Sequence, residues 1–227
     1  MKQKNGKLIV IDGGDASGKA TQTKKLIEGI RKLITLVKWI DFPQYDHNFY
    51  GQIIRAYLAG QFGDPKEIDP KLAGILYCMD RFESARLVRR WLDSGNTVVT
   101  DRYHTANIIH QGAKAAFASG KTFDAKKLMA LMIFLNRIEF EILNVPEPNL
   151  VIYLHVFPEV SQRLMNEEKR QRDGHETLEF AQKSEQVALW ACDHLNWTKI
   201  ECCPDRHSIL TPEEIHDMIW HQIVKIL

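Results

Sequence analysis

Apolar and polar positions follow two periods along this chain. "KLIVIDGG" is a short continuous apolar run ending in an acid and two glycines, the pattern of a parallel strand buried on both faces. From Gly18 to about Ile34 the apolar residues Leu26, Ile27, Ile30, Leu33 and Ile34 recur at helical spacing. "TLVKWIDFP" predicts a second strand closed by Pro43, and "FYGQIIRAYLAG" a short helix capped by Gly60. "DPKLAGILYCMDRFESARLVRRWLDSG" predicts a longer helix, with Asp69 as N-cap, Pro70 in the first turn and Gly95 past the end. "NTVVTDRY" reads as a third buried strand, followed by helical patterns over residues 104–117 and 122–143. "NLVIYLHV" is a fourth strand, and Pro158 opens a short helix. The charged interruption "NEEKRQRDGHE" precedes another helix running to about Leu195. "WTKIECC" fits a fifth strand. "TPEEIHDMIWHQIVKIL" is a final amphipathic helix, with Thr211 as N-cap and Glu214 completing a capping box.

This alternation predicts an α/β fold: a parallel five-stranded sheet with helices on both faces. Such sheets bind ligands beyond the carboxyl ends of their strands. Gly13–Gly18, the turn at Pro43 and Asp101–Tyr103 all follow strand ends, so they should converge on one site. No internal repeat or linker stands out, which predicts a single domain over residues 1–227.

Composition narrows the classes. A chain of 227 residues with 44% hydrophobic and 26% charged content fits a soluble globular protein able to bury a substantial core. The net charge of +1 gives no global case for binding nucleic acid or an anionic membrane, so any anion site must come from local charge. The longest apolar run, "LMALMIFL" from Leu128, is too short to span a membrane and predicts a buried helix. "MKQKNGK" is short and polar, which predicts no signal peptide. Cys78, Cys192, Cys202 and Cys203 include no C-x-x-C pair, which argues against a zinc or disulfide framework and for a reducing, cytoplasmic setting.

Gly13, Gly18 and Lys19 satisfy G-x-x-x-x-G-K between a strand and a helix. In such a loop backbone N–H groups surround phosphate oxygens, the helix N-terminus adds positive potential, and the lysine reaches the β- and γ-phosphates. The alternative is an ordinary glycine-rich turn. The position that normally supplies a Mg²⁺-binding hydroxyl is Ala20, and Thr21 lies about 100° further around the helix, a poor substitute. Mg²⁺ often keeps several waters beside phosphates, so altered metal binding is expected rather than an inert site. Asp101 ends an apolar strand, where a carboxylate would steady that ion directly or through water, or else cap the next helix.

"DGGDASGKATQ", "DFPQYD…GQIIRAYLAGQFGD", "ILYCMDRFE", "TDRYHTANIIHQGAK", "DGHE" and "TPEEI" stand in the order and spacing of thymidylate kinases, and nearly the whole chain resembles that family. The resemblance implies the three-layer P-loop NTPase fold with a short lid at about 167–176, and transfer of the γ-phosphoryl of ATP to dTMP with Mg²⁺. It implies ATP contacts at Gly13, Ala16, Ser17, Gly18, Lys19, Ala20 and Thr21. It places Asp15 near the deoxyribose 3′-hydroxyl, the acceptor phosphate and, with Asp101, the metal. Tyr77 would stack on thymine, Arg81 would hydrogen-bond the base, and Arg102 would bind the acceptor phosphate. Phe42 and Tyr45 belong to the same substrate pocket, Asn107 and Gln111 would contact base and sugar, and His110 falls where an aromatic crowds C2′. Taken singly, Tyr77 also reads as a core residue, and Arg81 and Arg102 as surface ion pairs. In the lid, Lys169, Arg170 and Arg172 would neutralise transition-state charge; Arg170 and Arg172 are the candidate catalytic arginines, against a plain solvated turn. A homodimer through helices is also implied.

Three positions depart from the family pattern. Ala20 lacks the hydroxyl, Tyr45 replaces a common phosphate-contacting arginine, and His155 stands where Asp is common. His155 reads either as a satisfied strand-end histidine or as a group titrating near the site. The departures leave two alternatives beside a dTMP kinase: a kinase for another deoxynucleotide, or a nucleotide-binding protein with little catalysis.

Overall fold

A computed structural model describes residues 6–33, 36–167 and 177–227. Among these residues five strands appear where the sequence predicted them: β1 (Leu8–Gly13), β2 (Val37–Asp41), β3 (Thr97–Asp101), β4 (Leu150–His155) and β5 (Thr198–Glu201). They form one parallel sheet in the order β2-β3-β1-β4-β5. Strand periodicity divides the core. Leu8, Val10, Val98, Val151 and Tyr153 pack on one face, and Ile9, Ile11, Val99, Ile152 and Leu154 on the other.

Helices cover both faces. Three, α3 (Pro70–Asp93), α4 (His104–Ala116) and α7 (Leu178–His194), send Val88, Ile108, Val187 and Ala188 into the first layer. On the opposite side α1 (Lys19–Leu33) and α8 (Pro212–Ile223) bring Leu26, Ile30, Ile215 and Ile219. The remaining helices are α2 (Phe49–Leu58), α5 (Ala125–Asn136) and α6 (Pro158–Glu167). The caps follow the sequence. Asp69 accepts from Lys71 N at 2.8 Å, and Thr211 with Glu214 forms the capping box.

One predicted helix is not regular. The pattern over 122–143 starts at Ala125, behind the N-cap Asp124, and its last part is a π-helical turn, Arg137–Ile142. The final helix ends at Ile223 and does not continue to Leu227. Of "LMALMIFL", Leu128, Leu131, Met132 and Leu135 are buried, while Met129 and Ile133 are exposed. Among the described residues no helix is long and apolar enough to cross a membrane.

In this order β1 lies between β3 and β4, so the chain leaves the sheet in opposite directions on its two sides. A crevice opens there, beyond the carboxyl ends of the strands. Register aligns Asp41 with Asp101 and Asp101 with Ile11, bringing the three strand ends to that edge.

Candidate active site

The turn after β1 is built by close approach. A Cβ on Gly13 would stand 2.6 Å from Ser17 Oγ and 2.7 Å from the Leu154 carbonyl, so the strand passes β4 only as glycine. Gly18, with φ +85°, and Ala16, with φ 52°, take left-handed backbone that wraps the loop. For Ala16 this conformation is strained, the kind of cost associated with functional turns. The first N–H groups of α1 then face outward from its N-terminus without intrahelical acceptors. Lys19 Nζ donates to the carbonyls of Gly13 at 3.1 Å and Gly14 at 2.7 Å, so the ammonium lies over its own loop. Burial, with the charge of Arg102, lowers Lys19 to about 8, against the nearby Asp15 and Asp101.

β3 delivers the opposing groups. Arg102 turns out of the strand in left-handed backbone, φ 61°, while its N–H still bonds the Ile11 carbonyl at 2.9 Å and its own carbonyl accepts from Thr100 Oγ1. Its guanidinium meets Asp15 Oδ1 through Nη2 at 3.1 Å and His110 Nε2 through Nη1 at 3.0 Å. Burial and Arg102 lower His110 to about 4, so the neutral imidazole is the acceptor. Asp101 is raised by burial, with Lys19 and Arg102 opposing. It does not cap α4, whose N-cap is Tyr103 without a side-chain bond, so the capping alternative falls.

A cavity of about 610 Å³ joins these elements. The loop residues Asp15, Ala16, Ser17, Gly18, Lys19, Ala20 and Thr21 border one side. Phe42, Tyr45, Tyr77, Arg81, Asp101, Arg102, Asn107, His110 and Gln111 border the rest. Gly13 borders a smaller neighbouring space of about 70 Å³, together with Asp15 and His110. The proposed lid groups Lys169, Arg170 and Arg172 lie outside the described residues.

Several side chains on this wall are held from behind. Tyr77 is half-buried and meets Tyr57 edge-on at 6.5 Å, so it is a wall residue and not core. Asn107 Nδ2 donates to the Gly74 carbonyl at 3.0 Å; Asn107 Oδ1 and Gln111 Oε1 are buried acceptors with no hydrogen-bond partner among the described residues. Arg81 is no surface ion pair: it and Glu139 are each 2% exposed, and Nη2 reaches Glu139 Oε2 at 2.8 Å. Phe42 packs edge-on to Tyr103 at 5.5 Å. Tyr45 has the Arg55 guanidinium 5.5 Å over its ring. His110 stacks at 6.2 Å on Phe180, which also borders the cavity.

Sequence reasoning missed two supports. Lys114, inside the quoted "QGAK", ties α4 to the Pro65 carbonyl at 2.5 Å and to Tyr57 Oη at 3.0 Å at the far end of the cavity. Glu139 carried one available signal: it continues the buried stripe of Leu128, Leu131, Met132 and Leu135, where a lone acid needs a partner.

His155 is the satisfied histidine. Its Nδ1 meets Glu201 at 2.7 Å and its Nε2 meets Glu185 at 2.8 Å, joining β4 to β5 and α7. Burial alone would lower it, but the two glutamates raise it above the ordinary histidine value. Its contribution is therefore complete below the unfolded value of about 6.5 and is lost as pH rises through the higher folded value. Melting temperatures measured from pH 6 to 9 should fall along that rise, and His155→Gln should flatten this part of the profile. An identical slope in the variant would exclude His155 as its source.

Which metal the site suits follows from its donors. Among the described residues no group of three or more His, Cys, Asp or Glu could hold a metal on its own. Asp15 and Asp101 border the cavity beside Lys19, and Ala20 adds no donor. One or two carboxylates sharing an ion with phosphates is a Mg²⁺ arrangement, so these residues fit that ion.

A family model described as thymidylate kinase matches residues 11–202. Human thymidylate kinase is 26% identical over 208 residues, covering 88% of this chain and 84% of the human protein. The structure of thymidylate kinase from Candida albicans is similar with a TM-score of 0.68 and 22% identity, covering 97% of this chain and 92% of that one, a likeness of fold. The matched span runs from within β1 to just past β5 and contains every residue bordering the cavity; the chain belongs to the thymidylate kinase family.

Proposed function

We propose that this protein transfers the γ-phosphoryl group of ATP to dTMP, giving dTDP and ADP. The observation that carries the reading is one cavity with Lys19 and the loop on one side and Arg102, Arg81 and Tyr77 across it. Phosphoryl transfer depends on alignment and charge neutralisation. Loop N–H groups and Lys19 hold the donor phosphates. Arg102 holds the acceptor phosphate, and its ion pair with Asp15 fixes the guanidinium between the two substrates. Tyr77 offers its ring to the pyrimidine, and Arg81 its donors to a base carbonyl. The orphan acceptors of Asn107 and Gln111 suit the N3–H of thymine and a sugar hydroxyl. Mg²⁺, held by donor phosphates with Asp101 and Asp15, would offset charge on the phosphate oxygens. Arg170 or Arg172 would add positive charge from the lid.

The test is ADP release with a panel of monophosphates, with and without Mg²⁺. dTMP should lead; dUMP, dCMP or thymidine outrunning it would support another acceptor, and binding without turnover would support a non-catalytic protein.

Lys19 adds a pH signature. Only the ammonium attracts phosphate, and in the free protein it is lost as pH rises through about 8. ATP affinity measured by calorimetry between pH 6.5 and 9.5 should be steady at the low end and weaken above about 8. Lys19→Arg, charged throughout, should remove that decline. A decline of equal size in the variant would assign it to another group.

A homodimer is proposed through the exposed apolar side chains of Leu72 on α3 and Met129 and Ile133 on α5. Light scattering of the wild type and of Ile133→Lys tests it. The four free thiols and the absence of a membrane-length helix among the described residues agree with a cytoplasmic location.

A further inference from the structure

Arg81 is fixed before any ligand arrives. Its Nε donates to Glu139 Oε1, its Nη2 to Glu139 Oε2 at 2.8 Å, and its Nη1 to the Tyr103 carbonyl at 3.4 Å. The guanidinium carbon sits 5.8 Å over the Tyr103 ring. Glu139 also faces Cys78, whose Sγ stands 3.3 Å from Oε2. Burial pushes that thiol up to about 12, so it stays protonated and donates. Of the five N–H groups on the guanidinium, Nε–H and one on each terminal nitrogen are thus committed inside the protein, and Nη2 makes a further long contact with Cys78 Sγ at 4.0 Å. The second N–H on Nη1 is what Arg81 chiefly offers to the cavity it borders.

Stability alone does not account for this pair. Two fully desolvated charges are often no better than apolar residues of equal volume. α5 buries leucine and methionine up to Leu135, then winds into a π turn and inserts a carboxylate beneath the cavity wall. π turns concentrate at functional sites. A bidentate carboxylate restricts a planar guanidinium to one plane and one rotation. A donor held in that plane can meet a carbonyl on a base but not an amino group at the same position.

We propose that Glu139 is a positioning residue for acceptor recognition: by locking Arg81 it sets the preference for a pyrimidine with a carbonyl at C4, as in thymine, over one with an amino group, as in cytosine. The inference rests on the reading above that Arg81 meets the acceptor base. Glu139 does not touch substrate; it acts through Arg81.

The experiment compares Glu139→Gln, Glu139→Asp, Arg81→Gln and the double variant Arg81→Gln/Glu139→Gln in the full chain. It measures kcat and KM for dTMP and dCMP, KM for ATP, and melting temperature. Glu139→Gln should raise KM for dTMP and lower the dTMP-to-dCMP ratio of kcat/KM, each by about 10-fold or more, with KM for ATP unchanged. Glu139→Asp, which keeps the charge, should recover part of the ratio. The double variant should be no less selective than Arg81→Gln. If Arg81→Gln loses selectivity while folded Glu139→Gln keeps the wild-type ratio and KM, Glu139 is a structural tie only, whatever the melting temperature, and the proposal falls while the base-reading role stands. If Arg81→Gln itself changes neither quantity, the base-reading role falls and takes the proposal with it. Where Glu139→Gln does not fold, the ratio measured on Glu139→Asp decides: a drop supports the proposal and a wild-type ratio overturns it.

Discussion

Replacing Lys19 by alanine should lower kcat by about 10²–10³-fold, the usual loss when one preorganised charge is removed from a transition state. The side chain already lies over the loop, 2.7 Å from the Gly14 carbonyl, so the phosphates of ATP need only draw the ammonium a short way. The loop would keep much of its grip without it, because Gly13, Ala16 and Gly18 set the backbone geometry. Loss should therefore concentrate in kcat more than in the binding of ATP. Steady-state ADP release at saturating dTMP, with calorimetric ATP binding on the same protein, separates the two. A variant with wild-type kcat would remove Lys19 from the chemistry.

Arg102→Ala should be comparably severe on the acceptor side, lowering kcat/KM for dTMP by about 10²–10³-fold. Three observations support that proposed role. It leaves the end of β3 in left-handed backbone, it is paired with Asp15, and it is supported by a neutral His110 at 3.0 Å. Truncation would leave Asp15 without that counter-charge next to the donor phosphates, so the repulsion between two anionic substrates would rise as the cation disappears. Arg102→Lys should recover only part of the loss, because an ammonium cannot meet Asp15, His110 and a phosphate in one plane. Varying dTMP at saturating ATP measures the effect. An increase confined to KM for ATP would move Arg102 to the donor side.

Much of this site was legible because its chemistry is local in sequence. Gly13, Gly18 and Lys19 lie within one turn between a strand and a helix, and Asp101, Arg102 and Tyr103 are consecutive at a strand end. Apolar runs announced β1, β3 and β4, and Asp69 and Thr211 announced helix starts, since each cap is a contact between near neighbours. What escaped was non-local. Glu139 is 58 residues from Arg81, and Lys114 is 49 from Pro65. No period or motif encodes such pairs; only the packed sheet brings them together. The π turn escaped for a different reason: it ends the helix at Arg137–Ile142, so too few apolar positions follow it to reveal the shift in period. His155 was legible as a choice between two states, and its two glutamate partners, on β5 and α7, decided it.

The position of β1 at the centre of the sheet also bears on synthesis. Its neighbours are β3, beginning at Thr97, and β4, beginning at Leu150, so the first strand made waits longest for partners. At translation speeds of about 5–20 residues per second, roughly 4–18 s pass between the emergence of β1 and that of β3. During that interval "LIVID" is a bare, adhesive ribbon with both edges open, so newborn chains should depend on holdase chaperones until β3, and for the other edge β4, has been made.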